Sequence, residues 1–281
     1  MGNIQLIGLD LDETLLRRDK SISAHTMEVL ARAHAAGLVV VPVTGRPLSG
    51  IMPEVRRIPG LTWCITSNGA VTTHLPEGRR IRERLLPRVA VRELCMLHAD
   101  VAFSREIFIE DYGYCSEQTY AMHERDYAGH PFLDYIRASR SAVPELMAFI
   151  DAQPDRFENV CFVCKDLPVL DEIYAAAVAY RLEQDAPLHV TRTTPRVIEI
   201  GAPGADKGLA LLALGETLGI PQEGICAVGD SDNDLGMLRT VGYPVAMGNG
   251  TEAVKALAAH ITADNEHDGV AQVIEDLLAS H

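Results

Sequence analysis

Short apolar runs, rich in β-branched residues, alternate with helix-like periodicity in the first part of the chain. Such runs cover residues 4–9, 38–43 and 62–66. Between them, Ser23 is typical of an N-cap that opens one helix, and a second helix is predicted near Pro47 to Arg57. Strands that alternate with helices in this way predict an α/β fold built on a parallel sheet.

This rhythm changes in the middle of the chain and returns near its end. Residues 81–190 combine strand-like runs, such as EIFIE and NVCFVC, with unevenly spaced helices, which predicts an inserted α+β domain. From the run RVIEI onward, strands and helices alternate again. The prediction is a Rossmann-like, doubly wound parallel sheet formed by residues 1–80 and 191–281, with the inserted domain between them.

Acidic residues follow two of the predicted strands. The segment DLDET (10–14) follows the first apolar run, and GDSDND (229–234) follows the run ICAV. Carboxylates this close repel one another unless a cation offsets their charge. Parallel strands end at one edge of a sheet, so oxygen ligands from both loops predict a site for Mg²⁺. A solvated loop with an Asx-turn is the alternative for the first segment.

The second acidic segment has a spacing that invites comparison with an EF-hand. Leu235 stands where that loop needs its glycine, and Val241 stands where it needs its bidentate glutamate. The EF-hand interpretation is therefore excluded, and a cation site at the end of a strand remains.

Three further residues supply the groups that a bound phosphate needs. Thr44 and Gly45 follow the run 38–43, and Lys207 opens a predicted helix. Together they offer a hydroxyl, backbone N–H groups and a fixed cation. Taken singly, the threonine is an ordinary cap and the lysine an ordinary surface residue.

The overall charge favours a small-molecule ligand. The chain has 25 Lys and Arg against 39 Asp and Glu, a formal net charge of -14, which repels nucleic acid and anionic lipid. No apolar run approaches the ~20 residues of a membrane span, and no signal-peptide pattern is found. The expected location is the cytoplasm, where the scattered cysteines stay reduced. A redox or metal role for the CxxC pair, Cys161 and Cys164, is the less favoured alternative.

The motifs together resemble those of phosphatases in the haloacid dehalogenase superfamily. DLDET, the TGRP turn at 44–47, Lys207 and GDSDND occur in that family's order. SNGA at 67–70 and the tail segments 247–254 and 264–270 are similar to the Cof-type subfamily. The resemblance implies that the insertion is a C2-type cap, which closes over the phosphate site and sets substrate specificity.

The resemblance also implies a role for each matching residue. Asp10 would be the nucleophile, and Asp12 would be the general acid and base. Mg²⁺ would be held by Asp10, Asp230 and the backbone carbonyl of Asp12, with Asp234 supporting the metal site. The phosphoryl oxygens would be held by Thr44, Gly45, the Leu11 backbone, Lys207 and Asn233.

Three residues are candidates that also have plain structural explanations. Arg46 could reach the substrate or form a surface ion pair, and Asn68 in the SNG segment could contact the substrate or serve only as a turn residue. Asn265, in the last tail segment, is a similar candidate.

The implied activity is Mg²⁺-dependent hydrolysis of a small phosphorylated metabolite, either a sugar phosphate or a cofactor such as pyridoxal phosphate or flavin mononucleotide. A phosphomutase is the enzymatic rival, because some members with similar caps return the phosphoryl group to a bound sugar. A phospho-accepting signalling module is the non-enzymatic rival, although such a module needs no large insertion. The protein is expected to be a monomer or a homodimer.

Overall fold

The computed structural model describes residues 4–130, 132–182 and 185–280, which divide into two compact units. The core unit takes in the described residues of Met1–Gly45, Ile51–Arg82 and Asp206–His281. The inserted unit takes in those of Arg46–Gly50 and Glu83–Ala205.

The first part of the chain forms five strands and two α-helices. Ser23 caps the first helix by accepting a hydrogen bond from the Thr26 N–H, as predicted, and Gly37 follows the helix with a φ of 84°. The elements are β1 (Leu6–Leu9), α1 (Ala24–Ala35), β2 (Val39–Pro42), α2 (Pro53–Arg56), β3 (Trp63–Thr66), β4 (Val71–His74) and β5 (Arg79–Glu83).

The single helix predicted near Pro47 to Arg57 is wrong. The segment forms a 3₁₀ turn, Leu48–Gly50, and the four-residue α2. Between them Met52 is extended, with φ −68° and ψ 154°, because proline disfavours the helical conformation in the residue before it. Pro53 therefore starts a new helix instead of continuing one.

The middle of the chain builds the inserted unit around its own sheet. The elements are α3 (Arg88–Met96), β6 (Ser104–Ile109), β7 (Tyr112–Ser116), α4 (Glu117–Asp126), α5 (Phe132–Ser139), β8 (Arg140–Val143), α6 (Leu146–Ala152), β9 (Phe157–Val163), α7 (Leu167–Ala179), β10 (Arg181–Leu182), β11 (Ala186–Pro187), β12 (His189–Thr194) and β13 (Val197–Gly201). The strand order of the sheet is β12-β13-β9-β6-β7-β8. The buried residues of the unit form a separate apolar core that includes Phe157, Phe162 and Ile107.

The last part of the chain completes the core unit. The elements are α8 (Lys207–Leu218), β14 (Ile225–Gly229), α9 (Leu235–Thr240), β15 (Tyr243–Ala246), α10 (Glu252–Leu257), β16 (His260–Ile261) and α11 (Gly269–Ala279). The sheet of the core unit is parallel throughout, with strand order β16-β15-β14-β1-β2, and a parallel bridge between Val43 and Ile65 links it to β3. The fold is α/β, as predicted.

The predicted return to the core at residue 191 is too early. Residues 197–200 of the run RVIEI lie in β13, which pairs antiparallel with β9 and β12 of the inserted unit. Ile198 and Ile200 are buried in that unit's apolar core. The chain rejoins the core unit at Asp206. Strand periodicity predicts that a strand forms, but not which sheet it joins.

All six cysteine thiols are reduced and buried. In the CxxC pair, Cys161 lies in β9, and Cys164 is the first residue after that strand. Among the described residues, no helix is long and apolar enough to span a membrane.

Candidate active site

The two acidic loops meet because the strands before them are hydrogen-bonded neighbours. β1 and β14 pair in parallel, with Leu9 opposite Val228, and the Asp10 N–H donates to the Val228 carbonyl over 3.1 Å. Asp10 and Asp230 therefore lie at the carboxyl ends of adjacent strands, with exposed fractions of 5% and 8%. The predicted convergence of residues 10–14 and 229–234 is confirmed.

Lys207 is buried between two of the carboxylates. Asp206 caps α8 by accepting from the Leu209 N–H, so Lys207 is the first residue of the helix. Its Nζ donates to Asp10 Oδ1 over 2.6 Å and to Asp234 Oδ1 over 2.7 Å, and the residue is only 1% exposed. Burial alone would lower the pKa of Lys207, but the two carboxylates raise it above its ordinary value, so the side chain stays charged.

Asp234 orients the loop that carries Asp230. Its Oδ2 accepts the backbone N–H groups of Asp230 (3.0 Å) and Ser231 (3.1 Å), while its Oδ1 accepts from Lys207. A Cβ on Gly229 would lie 2.6 Å from the Asp234 side chain, so the close approach needs glycine. Both oxygens of Asp234 are thus already engaged in holding the loop and the lysine.

The site carries more negative charge than Lys207 can offset. Asp10, Asp230 and Asp234 each offer an oxygen within 4.8 Å of the others. Burial raises the pKa of Asp10 well above its ordinary value against the opposing attraction of Lys207, and burial with the Asp234 charge raises the pKa of Asp230 to about 7. A buried excess of carboxylate oxygens fits a hard divalent cation, whose charge would let these groups ionise.

Asp12 occupies a different environment from Asp10. Its side chain is 41% exposed and accepts a hydrogen bond from Lys20 Nζ over 3.0 Å. Among the described residues, its carboxylate is not part of the acidic cluster of Asp10, Asp230 and Asp234. The predicted use of its backbone carbonyl as a metal ligand stays a prediction.

The SNG turn lies in the interior of the core unit, beside two predicted phosphate-binding residues. Ser67, Asn68 and Gly69 have φ angles of 50°, 53° and 88° and are all buried. The Asn68 N–H donates to the carbonyl of Thr44 over 3.0 Å, and a Cβ on Gly69 would lie 2.3 Å from the Asp206 carbonyl oxygen. The turn therefore contacts both the Thr44 backbone and the start of α8.

The remaining predicted residues divide between the two units. In the core unit, Leu11 is buried, Gly45 is half-buried, and Asn233 accepts from the Ser231 hydroxyl over 2.6 Å. Arg46 belongs to the inserted unit, where its guanidinium carbon lies 4.1 Å from the centre of the Tyr135 ring. It is 4% exposed, so the surface ion pair considered for it is wrong. Its contact with substrate stays a prediction.

Several residues in the site escaped sequence reasoning. The Thr14 hydroxyl donates to Asp230 Oδ1 over 2.7 Å, Arg82 donates to the Gly69 carbonyl over 2.5 Å, and the Asn249 side chain donates to the Glu13 carbonyl over 2.8 Å. Thr14 lies inside the acidic motif, but nothing in the spacing indicates its partner. Arg82 and Asn249 act through contacts distant in sequence, which periodicity does not report.

Comparisons with known proteins find a matching family and similar relatives. The sequence profile of the haloacid dehalogenase-like hydrolases matches residues 7–274. The Bacillus subtilis 5-amino-6-(5-phospho-D-ribitylamino)uracil phosphatase YitU is 31% identical over 98% of this chain and 97% of its own. The Escherichia coli pyridoxal phosphate phosphatase YbhA is 27% identical over 96% and 97%. A haloacid dehalogenase-like hydrolase structure from B. subtilis superposes with a TM-score of 0.84 at 27% identity, covering 97% of this chain and 99% of the other.

Proposed function

Because the chain belongs to the haloacid dehalogenase-like hydrolase family, we propose that it hydrolyses small phosphorylated metabolites with Mg²⁺ through a phosphorylated Asp10. The observation that carries this proposal is the 2.6 Å contact between Lys207 Nζ and Asp10 Oδ1 inside a buried carboxylate cluster. A buried lysine held against one carboxylate offsets the repulsion that this carboxylate meets when it attacks a phosphoryl group.

Asp10 and Asp230 would hold Mg²⁺ through carboxylate oxygens, together with the backbone carbonyl of Asp12. When bound, the ion would supply charge that stabilises the phosphoryl oxygens during transfer. Asp234 supports these ligands, since its oxygens already bind Lys207 and the loop backbone.

The residues divide the reaction into two steps. In the first step, one oxygen of Asp10 forms a bond to phosphorus while the bond between phosphorus and the alcohol oxygen breaks. The departing alcohol oxygen takes a proton from Asp12. The Asp12 carboxylate then takes a proton from water, which attacks the acyl phosphate and releases inorganic phosphate and Asp10. The partly exposed position of Asp12 supports this role, because the group must exchange protons with an alcohol and with water.

The names of two relatives support the proposed substrate class. Their names specify a phosphoribitylamino-uracil and pyridoxal phosphate. We propose that this chain hydrolyses phosphate monoesters of these two kinds or sugar phosphates. The residues expected to choose among these substrates lie in the inserted unit, which includes Arg46.

Phosphate release from a panel of metabolites tests the proposal. The panel contains sugar phosphates, pyridoxal phosphate, flavin mononucleotide and 5-amino-6-(5-phospho-D-ribitylamino)uracil, each assayed with Mg²⁺ and with a chelator. Wild-type protein should release phosphate from at least one compound only with Mg²⁺, whereas Asp10→Asn should release none. Isomerisation of a sugar bisphosphate without phosphate release would instead identify a mutase.

A further inference from the structure

The loop Met247–Thr251, here the MGNGT loop, is hydrogen-bonded to both acidic loops of the core unit. The Thr251 N–H donates to the backbone carbonyl of Asp230 over 2.9 Å. The Asn249 side-chain amide donates to the backbone carbonyl of Glu13 over 2.8 Å. One short loop therefore joins the segment that carries Asp10 to the segment that carries Asp230.

The contact at Glu13 falls on an unusual backbone conformation. Glu13 has a φ of 60°, in the left-handed region that a non-glycine residue adopts only at a cost. Asn265 donates from its side chain to Glu13 Oε2 (3.3 Å) and to the Leu16 carbonyl (3.0 Å), and from its backbone to Asn249 Oδ1 (3.2 Å). The two asparagines thus form a closed network around the bend that follows Asp10 and Asp12.

The backbone of the MGNGT loop also lies close to the Asp230 backbone. A Cβ on Gly250 would lie 2.9 Å from the Met247 carbonyl oxygen and 3.2 Å from the Asp230 carbonyl oxygen. The backbone of the MGNGT loop can approach Asp230 this closely because residue 250 has no side chain.

We propose that Asn249 is a positioning residue, which through the MGNGT loop sets the separation of the two acidic loops and hence the affinity of the site for Mg²⁺. The inference rests on the proposed function for the identity of the cation. Residues that orient metal ligands typically change metal affinity about 10- to 100-fold when they are removed. Asn249 acts through a single exposed amide on the backbone of Glu13, the residue after the proposed ligand Asp12, so a change near the lower limit is expected.

Asn249→Ala and Gly250→Ala in the full-length, metal-free protein test this inference. Asn249 is exposed, so its truncation leaves no cavity in the core and should not unfold the protein. The Mg²⁺ concentration that gives half of the maximal rise in melting temperature should increase about 10-fold in each variant. The Mg²⁺ concentration for half-maximal hydrolysis of p-nitrophenyl phosphate should increase in parallel. At saturating Mg²⁺, the KM for p-nitrophenyl phosphate should stay within about twofold of wild type.

Gln222→Ala is the matched control, because Gln222 also donates a side-chain amide to a backbone carbonyl, that of Thr240, in an exposed setting. It should leave both Mg²⁺ midpoints unchanged. Unchanged midpoints in folded Asn249→Ala and Gly250→Ala would overturn the inference, as would a wild-type melting temperature that does not respond to Mg²⁺. A wild type whose melting temperature responds but which hydrolyses no phosphate ester would overturn the proposed function alone, and the variants' melting midpoints would still decide the role of Asn249.

Discussion

At the scale of single residues, Asp10 and Asp12 have identical side chains in different environments. Asp10 is 5% exposed and contacts Lys207, whereas the Asp12 side chain is 41% exposed and contacts Lys20. Environments that differ this much suit two carboxyl groups to different roles in one active site. A nucleophile and a proton carrier can therefore stand two positions apart.

Replacing each aspartate should stop the reaction at a different point. Asp10→Asn should form no phosphoenzyme, because the attacking oxygen is lost. Asp12→Asn should still be phosphorylated by p-nitrophenyl phosphate, whose leaving group barely needs a proton, and should then accumulate phosphoenzyme. Rapid-quench experiments should show a burst of p-nitrophenol, followed by turnover slowed about 10²–10⁴-fold.

Asp19→Asn is the control for this pair, since Asp19 is an exposed carboxylate nearby in sequence that accepts hydrogen bonds from Ser21. It should turn over at the wild-type rate. Normal turnover by Asp12→Asn, or a labelled intermediate in Asp10→Asn, would show that the two roles are assigned wrongly.

The raised pKa of Asp230 predicts how the metal-free protein responds to pH. Burial and Asp234 raise this pKa to about 7, whereas in an unfolded chain it is about 3.9. Between these values the folded protein keeps a proton that the unfolded chain releases, so this contribution to stability falls as pH rises from about 4 through 7. The free energy of unfolding of metal-free protein should thus decrease from pH 5 to pH 8.

Urea unfolding in chelator at pH 5, 6, 7 and 8 measures this decrease. The buried Glu106 does not interfere, because Arg140 and His123 outweigh its burial and lower its pKa to about 2, below the tested range. Asp230→Asn should show a smaller decrease, and added Mg²⁺ should stabilise wild type most at pH 8. An equal decrease in Asp230→Asn would assign the effect to other groups.

At the scale of elements, the short SNG turn is expected to position Lys207. It contacts the Thr44 backbone and the first residues of α8, so a change in the turn reaches Lys207. Gly69→Ala should lower kcat about 10²-fold, since the added Cβ meets the Asp206 carbonyl and a displacement of about 1 Å at a catalytic group has an effect of that size.

Gly78→Ala separates this effect from the general cost of an alanine with positive φ. Gly78 has a φ of 61°, but a Cβ there would lie within 4 Å of no atom in the part of the chain that the structure describes. The Gly78→Ala variant should lose about 1–2 kcal/mol of stability and keep the wild-type kcat. Equal kcat values for the two variants would show that the turn does not position Lys207.

Local patterns in the sequence predict the elements that depend on near neighbours. The apolar runs predict β1, β2 and β14, and the polar residues after β1 and β14 converge because parallel strands share an edge. Features that depend on distant partners cannot be predicted in this way, as for β13, which joins β9 of the inserted sheet. The break at Met52 is local and could have been predicted, because the next proline disfavours the helical conformation there. Contacts such as that of Asn249 with Glu13 require the three-dimensional arrangement of the two loops.

At the scale of the whole molecule, the two units have separate apolar cores. Leu6, Val41 and Leu211 belong to the core unit, whereas Ile107 and Phe162 belong to the inserted unit. A unit with its own core can open and close without complete unfolding of the other, with its own free energy. The metal ligands proposed here all lie in the core unit, so Mg²⁺ should stabilise that unit directly.

The labelling rates of the buried cysteines measure how often each unit opens. A thiol reagent reacts with the thiolate, and burial raises the pKa of Cys95 and Cys115 to about 12, so reaction requires that the surrounding unit open. The core unit contains Cys64 and Cys226, and the inserted unit contains Cys95, Cys115, Cys161 and Cys164. Labelling followed by peptide mass spectrometry should give one rate for each group, and Mg²⁺ should slow the core group more. A single common rate, slowed equally by Mg²⁺, would show that the chain opens only as a whole.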